Sequence, residues 1–284
     1  MVRKFKIGDV VIYIVLGLLA ITMIIPFMNI ISISLSGYSA VVSNKNMLIP
    51  KDITFAAYSI IFNKEIYRGL LISVFLVVTV SVSHVFLCML TAYPLSKRGL
   101  PGRKIMLVYV LITMLFSGGT VPYYLTIKSL GLMDNLLVYI LPSAIGAYTV
   151  IMMKNFLLQI PASLEEAALI DGASPFYILT HIMIPLSKPI IATMLLFSGV
   201  NCWNNWFTAV LFIKDKDLYP IQNVLRNMVI ENNLAAFGEV NTSQSFDTSV
   251  KMAAIIITTV PIMLVYPFLQ KYFAKGIMLG SVKA

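Results

Sequence analysis

The 284-residue chain is 59% hydrophobic and only 12% charged, with a mean hydropathy of +0.89, whereas ordinary soluble domains carry about 25% charge. Its two cysteines, Cys88 and Cys202, both lie in apolar runs and no Cys/His cluster has metal-ligand spacing, which excludes a disulfide-rich secreted module and a zinc protein along with a disordered chain. A formal charge of +9 would suggest nucleic acid in a soluble protein, but in a membrane protein such an excess belongs in cytoplasmic loops, so its placement decides its meaning.

A spanning helix needs about 20 mostly apolar residues. Six stretches qualify: residues 10–34, 70–94, 105–127, 136–158, 190–213 and 252–273. The first follows Arg3, Lys4 and Lys6 like a signal peptide, but it is too long for one and lacks a small-residue cleavage site, so a retained helix is expected. Residues 37–69 then form an external segment. Gly118 and Gly119, followed by Pro122, Tyr123 and Tyr124, interrupt the third stretch near its outer end, which is tolerated where backbone is buried or lines a cavity. The long loop 214–251 is polar, with Asn232, Asn233, Asn241 and Gln244, and its pattern predicts one short helix near 221–231. With the N-terminus inside, the cytoplasmic side holds twelve basic and four acidic residues, and the outside nine basic and eight acidic. The short loop bearing Lys97, Arg98, Arg103 and Lys104 without an acid is the strongest signal, and it assigns both termini to the cytoplasm.

Between the fourth and fifth stretches, the cytoplasmic segment 160–188 has legible local chemistry. Ser163 with Glu166 is a capping box that predicts a helix from about Leu164 to Asp171. Gly172 suits a left-handed C-terminal cap, and Ser174 with Pro175 repeats the start signal for a second helix that should end before Pro185. Ala167 and Ala168 would let a partner approach the backbone, while Glu165 and Glu166 place negative charge within reach of a partner's arginine. The unit reads as a docking knob or, more plainly, as an amphipathic helix at the membrane surface.

The string Glu166-Ala167-Ala168, then Gly172, Ile182, Ile184 and Pro185 at their spacing, resembles the EAA signature of permease subunits of binding-protein-dependent ABC importers. Only Ile184 departs from that pattern, where leucine is most common. The resemblance extends over nearly the whole chain and is strongest to carbohydrate permeases of the maltose-permease type, in the branch associated with complex oligosaccharides. Residues 117–125, 127–132, 201–207, 218–222 and the basic tail 270–283 carry it. It implies an all-α membrane protein of the type I ABC importer permease fold, a single transmembrane domain over 1–284 with six helices, in a bacterial cytoplasmic membrane. It implies an ATPase-coupling role for Glu165, Glu166, Ala167, Ala168, Asp171, Gly172 and Pro185. The implied partners are a second homologous permease, an ATPase homodimer, an external or periplasmic sugar-binding protein and membrane lipid, with no nucleic acid. The chain would bind no cofactor, ATP and Mg belonging to the ATPase.

A sugar is held by amides and hydroxyls on its ring oxygens and by aromatic faces on its C–H surfaces. The fifth stretch supplies both within a few residues. Asn201, Asn204, Asn205 and Thr208 share a face at helical spacing, flanked by Trp203 and Trp206. Intramembrane asparagines mark either a substrate path or interhelical bonds, and the tryptophans could instead anchor an interface. Tyr123 and Tyr124 are further candidates for sugar contact, or for interfacial anchoring. His84, with no acid near it in sequence, reads as a packing histidine rather than a proton relay, and His181 as structural or ATPase-facing. No His-Glu-x-x-His, Gly-x-Ser-x-Gly or phosphate-loop motif occurs, and no acid lies within a predicted span. The rival readings are a peptide or amino-acid ABC importer and an ion-coupled secondary transporter.

Overall fold

The computed structural model describes residues 7–44, 46–62, 64–230 and 244–276, and no strand occurs among them. Arg3, Lys4 and Lys6, the asparagines at 232, 233 and 241, and the tail beyond Gly276 lie outside the described residues. By its contacts the chain divides into two compact units, Met1–Tyr67 with Val224–Pro261, and Arg68–Asn223 with Ile262–Ala284.

In the first unit, α1 (Ile7–Ser34) carries exposed apolar side chains from Val10 to Ile31, an arrangement suited to lipid rather than water. Its last turn is buried. Ile33 packs with Ala40 and Val41 of α2 (Tyr38–Ser43), and the Ser34 hydroxyl lies 2.9 Å from that of Tyr58 in α3 (Ala56–Ile61). The Gly37 N–H donates to the Lys51 carbonyl, and a Cβ at Gly37 would stand 3.0 Å from that of Asp52. This close approach folds the predicted external segment back onto the end of α1.

The second unit is organised around α4 (Lys64–Ser96), continuous through the predicted second span. One face of it, Val85, Cys88, Met89 and Ala92, packs with Val150, Met153, Ile178, Leu179 and Met194. Further toward its start, Leu76 and Val80 pack with Ile127, Val138, Ala209 and Phe212.

The third, fourth and fifth predicted spans are not continuous helices. The third divides into α5 (Arg103–Leu115) and α6 (Thr120–Ser129), bent by 111° where Gly119 adopts φ +84°. The fourth retains only α7 (Leu137–Ile140) and α8 (Ala147–Leu157) on either side of an irregular stretch at 141–146 containing Pro142. Eleven residues make about 16 Å of helix, so α8 alone is too short to cross a bilayer. Next come three short helices, α9 (Ala162–Ile170), α10 (Pro175–Ile178) and α11 (Ile184–Leu186). The fifth predicted span begins as α12 (Lys188–Trp203), stops at Asn204 and resumes as α13 (Phe207–Phe212). The Asn204 side-chain amide donates to the Val200 carbonyl, and the Asn205 side-chain oxygen accepts the Thr208 N–H. Both side chains compete with the helical ladder, which accounts for the break. The predicted short helix of the polar loop is α14 (Ile221–Ile230), and the last predicted span lies within α15 (Gln244–Gly276). Among the described residues three helices are each long and apolar enough to cross a membrane: Gly8–Ser34, Lys64–Ser96 and Thr248–Val265.

Candidate functional site

The coupling segment is built as helix, turn, helix, though its start differs from expectation. α9 begins with Pro161 at its N-cap, so Ser163 already lies in the first turn, and no side-chain capping bond forms. The capping box is therefore not made. The other end follows the sequence signal. Gly172 has φ +82°, its N–H donates to Leu169 and that of Ala173 to Ala168, the paired bonds of a Schellman cap. The Ser174 hydroxyl accepts the Tyr177 N–H at 3.3 Å and caps α10.

Helical structure then continues beyond the expected stop. Leu179–Met183 form a π-helical turn, and Pro185 sits inside α11 rather than beyond a helix end. A widened turn has already shifted the bonding register, so the missing proline N–H and its ring are accommodated. His181 is exposed, stacks on Tyr177 at 4.1 Å and has its Nδ1 2.8 Å from the Thr180 hydroxyl.

The two faces of α9 divide the expected coupling residues. Ala168 is 9% exposed and packs into the core beside α4, so it does not offer its side chain to a partner. Glu165 also turns inward. It accepts the Tyr93 hydroxyl at 2.9 Å and forms an ion pair with Lys97, whose ammonium lies over the Tyr93 ring. Glu166, Ala167, Asp171, Gly172 and Pro185 are exposed, next to Ile170 at 86% and Phe176 at 64% exposure. An apolar surface with two free carboxylates, on a segment fixed by its own caps, is suited to docking.

A cavity of about 440 Å³ lies in the same unit, within the range typical of small-ligand pockets. Val80 and His84 of α4, the irregular stretch after Tyr139, and Phe197, Asn201 and Asn205 contribute to its lining. It forms where the fourth and fifth predicted spans are broken. His84 holds one of its walls. Its Nδ1 is 2.6 Å from the Ser143 carbonyl and so carries the proton, which leaves Nε2 to accept the Thr149 hydroxyl at 3.0 Å. These bonds satisfy a carbonyl of the non-helical stretch, as expected of a packing histidine.

A Cβ at Gly146 would stand 2.8 Å from His84 Cε1, and the ring cannot yield without losing its bonds. Gly146→Ala is expected to destabilise the chain by about 1–3 kcal/mol, read as a lower thermal midpoint in detergent. His84→Ala combined with it should cost less than the two single changes together, because the clash is then absent. Additive losses would show that the contact is not tight.

Of the candidate path residues, Asn201 and Asn205 line the cavity. Trp203 is buried, Asn204 ends α12, and Thr208 bonds back to Asn205, so the expected common face is a turn instead. Trp206 is half-exposed and meets the Phe207 ring edge-on. Tyr123 and Tyr124 pack on Phe212 at ring separations of 5.6 and 5.8 Å, away from the cavity lining. Tyr139, Ser143 and Thr149 line the cavity but escaped the sequence reading, although hydroxyls clustered around Pro142 and Gly146 in an apolar run were a usable signal. On the loops, Asp134 accepts the N–H groups of Lys214 and Asp215 at 2.9 Å each, and these bonds, chiefly that from Asp215, hold its carboxyl below the usual range.

A family model described as binding-protein-dependent transport system inner membrane component matches residues 5–279. The polygalacturonan/rhamnogalacturonan transport system permease protein YtcP of Bacillus subtilis (strain 168) is 44% identical over 99% of each chain. Protein LplC of the same organism is 43% identical over 94% of this chain and 91% of its own. Among solved structures, a bacterial ABC transporter involved in the import of the acidic polysaccharide alginate superposes with a TM-score of 0.86 at 32% identity, covering 96% of this chain and 99% of that one. A chain of a bacterial alginate ABC transporter in complex with an alginate pentasaccharide-bound periplasmic protein matches at TM-score 0.56 and 15% identity over 92% and 93% of the two chains, a likeness of fold.

Proposed function

The chain belongs to the family of binding-protein-dependent transport system inner membrane components, and on that footing we propose that it is the permease subunit of an ABC importer for acidic oligosaccharides in a bacterial cytoplasmic membrane. The observation that carries the substrate class is the 44% identity, over nearly the full length of both chains, to a permease named for polygalacturonan and rhamnogalacturonan. Both polymers contain uronate units, and the solved alginate importer at 32% identity is likewise named for an acidic polysaccharide.

In this reading the chain crosses the membrane six times with both termini inside, the bent and broken helices counting as spans. It works as one transmembrane domain over 1–284, with the segment 160–188 in the cytoplasm and the loop 214–251 outside. The chain hydrolyses nothing itself. A separate ATPase dimer binds ATP and Mg, closes on them, and moves the segment 160–188 through a surface made by Glu166, Ala167, Asp171, Gly172 and the apolar side chains beside them. Glu165 and Ala168 pass that movement to α4, and Pro185 sits in the rigid return to α12. A second permease completes the path, and an external binding protein delivers the oligosaccharide. Asn201 and Asn205 touch the substrate, while Trp203, Asn204, Trp206, Thr208, Tyr123 and Tyr124 shape the surrounding turn and helices.

Mild-detergent purification of the tagged chain from its native membrane, with mass spectrometry of the co-purified proteins, tests the assembly. A second permease, an ATPase and a sugar-type binding protein are expected. Recovery of the chain alone or as a homo-oligomer in several detergents would contradict the proposal.

A further inference from the structure

Arg103, the first residue of α5, is fixed at one end and open at the other. Its Nε donates to the Leu95 carbonyl at 2.8 Å, which holds the guanidinium beside the end of α4, while its two Nη groups have no acceptor among the described residues. Lys154 of α8 is half-buried and stands within electrostatic reach of it. Apolar packing keeps the two together. Leu100 and Leu107, on either side of Arg103, pack against the cluster that contains Met153 and Leu157, on either side of Lys154. The two cations repel each other, and neither forms an ion pair among the described residues. Glu165, the acid turned toward this end of α4, is already taken by Lys97. A fixed guanidinium beside an ammonium with no counter-ion is complementary to a phosphate.

The surface beyond the pair narrows the ligand. α5 buries no residue fully, and an exposed apolar face begins two positions after Arg103, with Ile105 at 76% exposure followed by Met106, Tyr109 and Ile112. Its 13 residues rise about 20 Å, enough to run the depth of one leaflet, half of an apolar core of about 30 Å, before the chain bends away at Gly119. A free phosphate would engage the cations and leave this face bare, whereas a phospholipid engages both. Resting on the orientation in the importer reading above, which puts this end of α5 at the cytoplasmic surface, we infer that Arg103 and Lys154 bind the headgroup phosphate of an anionic phospholipid in the inner leaflet. The Nη groups of Arg103 make paired bonds to its oxygens, Lys154 adds a second positive charge, and the acyl chains lie along the exposed side of α5. Through the Leu95 carbonyl the headgroup also steadies the end of α4, where Lys97 holds Glu165 of the coupling segment.

The test is native mass spectrometry of the protein as purified with its partners in neutral detergent, titrated with phosphatidylglycerol or with phosphatidylcholine of the same chain length. The parent should retain phosphatidylglycerol about tenfold more tightly or better. Lys154→Gln breaks no bond among the described residues, so folding is preserved, and it should weaken phosphatidylglycerol binding about tenfold, as for one hydrogen bond to a charged group, with phosphatidylcholine binding unchanged. Arg103→Gln should lose at least as much. Lys104→Gln removes an exposed, screened cation from the same loop and should stay within about threefold of the parent. Equal retention of the two lipids overturns the site, and so does an equal loss in Lys104→Gln and Lys154→Gln, which would show attraction to surface charge alone. Glycerol 3-phosphate carries the phosphate without acyl chains. Failure to displace the lipid at equal concentration supports the lipid assignment, and full displacement shows a free-phosphate site and overturns it. Lipid retention is read without transport, so equal retention in a preparation that holds an ATPase and a second permease sinks the site alone. Selective retention by a chain that recovers neither sinks the importer reading alone.

Discussion

On the proposed importer reading, Gly172→Val is expected to abolish uptake while the chain still inserts and still co-purifies with a second permease. The reason is backbone geometry rather than crowding, since a Cβ at Gly172 would meet nothing within 4 Å. With φ at +82°, the residue closes the Schellman cap that sets the turn between α9 and α10. An L-residue in that region costs roughly 1–2 kcal/mol, and a β-branched one more, so the turn opens and the exposed face of Glu166, Ala167 and Ile170 loses its angle to α10. Glu166→Lys should have the same outcome by another route. Glu166 is exposed, and reversing its charge repels any arginine on the ATPase without disturbing the fold. Transport and transport-linked ATP hydrolysis are measured together, and normal uptake in both variants would remove the docking role.

Lys97→Met is expected to uncouple the ATPase from transport. Glu165 is mostly buried against α4, where Lys97 and the Tyr93 hydroxyl satisfy its carboxylate. Removing the lysine leaves a carboxylate beside an apolar cluster, at a cost of about 1–3 kcal/mol once the partial exposure of the pair is considered. α9 then swings away from the α4 terminus. Uptake should fall about tenfold while the ATPase remains bound, so ATP is consumed with little solute moved. Glu165→Gln should be milder, because glutamine can still accept from Tyr93 and Lys97 is half-exposed and can turn to water. The exchange Lys97→Glu with Glu165→Lys should recover part of the loss. If the exchanged pair transported no better than Lys97→Met, the contact would be incidental to coupling.

The parts of this architecture that were legible in the sequence depend on neighbouring residues. Gly172, Ser174 and Pro175 specify the turn between α9 and α10 within four positions, and apolar run length marks α1, α4 and part of α15 as long apolar helices. The parts that were not legible depend on residues far apart. Glu165 looks free on its own helix and is turned inward by Lys97, 68 positions earlier. The fourth predicted span is apolar enough to be helical throughout, and its irregular stretch is sustained by His84, 59 positions from Ser143. The asparagines of the fifth were recognised as unusual for a spanning helix, but the same chemistry that suggested a ligand path also breaks the helix that would have aligned them. Tyr139 lines the cavity from within an ordinary apolar run, where nothing in the sequence sets it apart.

Proteoliposome uptake of labelled trigalacturonate tests the central claim most directly, with the chain reconstituted both as its purified complex and alone. Accumulation that requires ATP on the cytoplasmic face and binding protein on the other, and that is absent for the chain alone, is the expected result. Uptake by the chain alone, driven by an ion gradient without ATP, would contradict it.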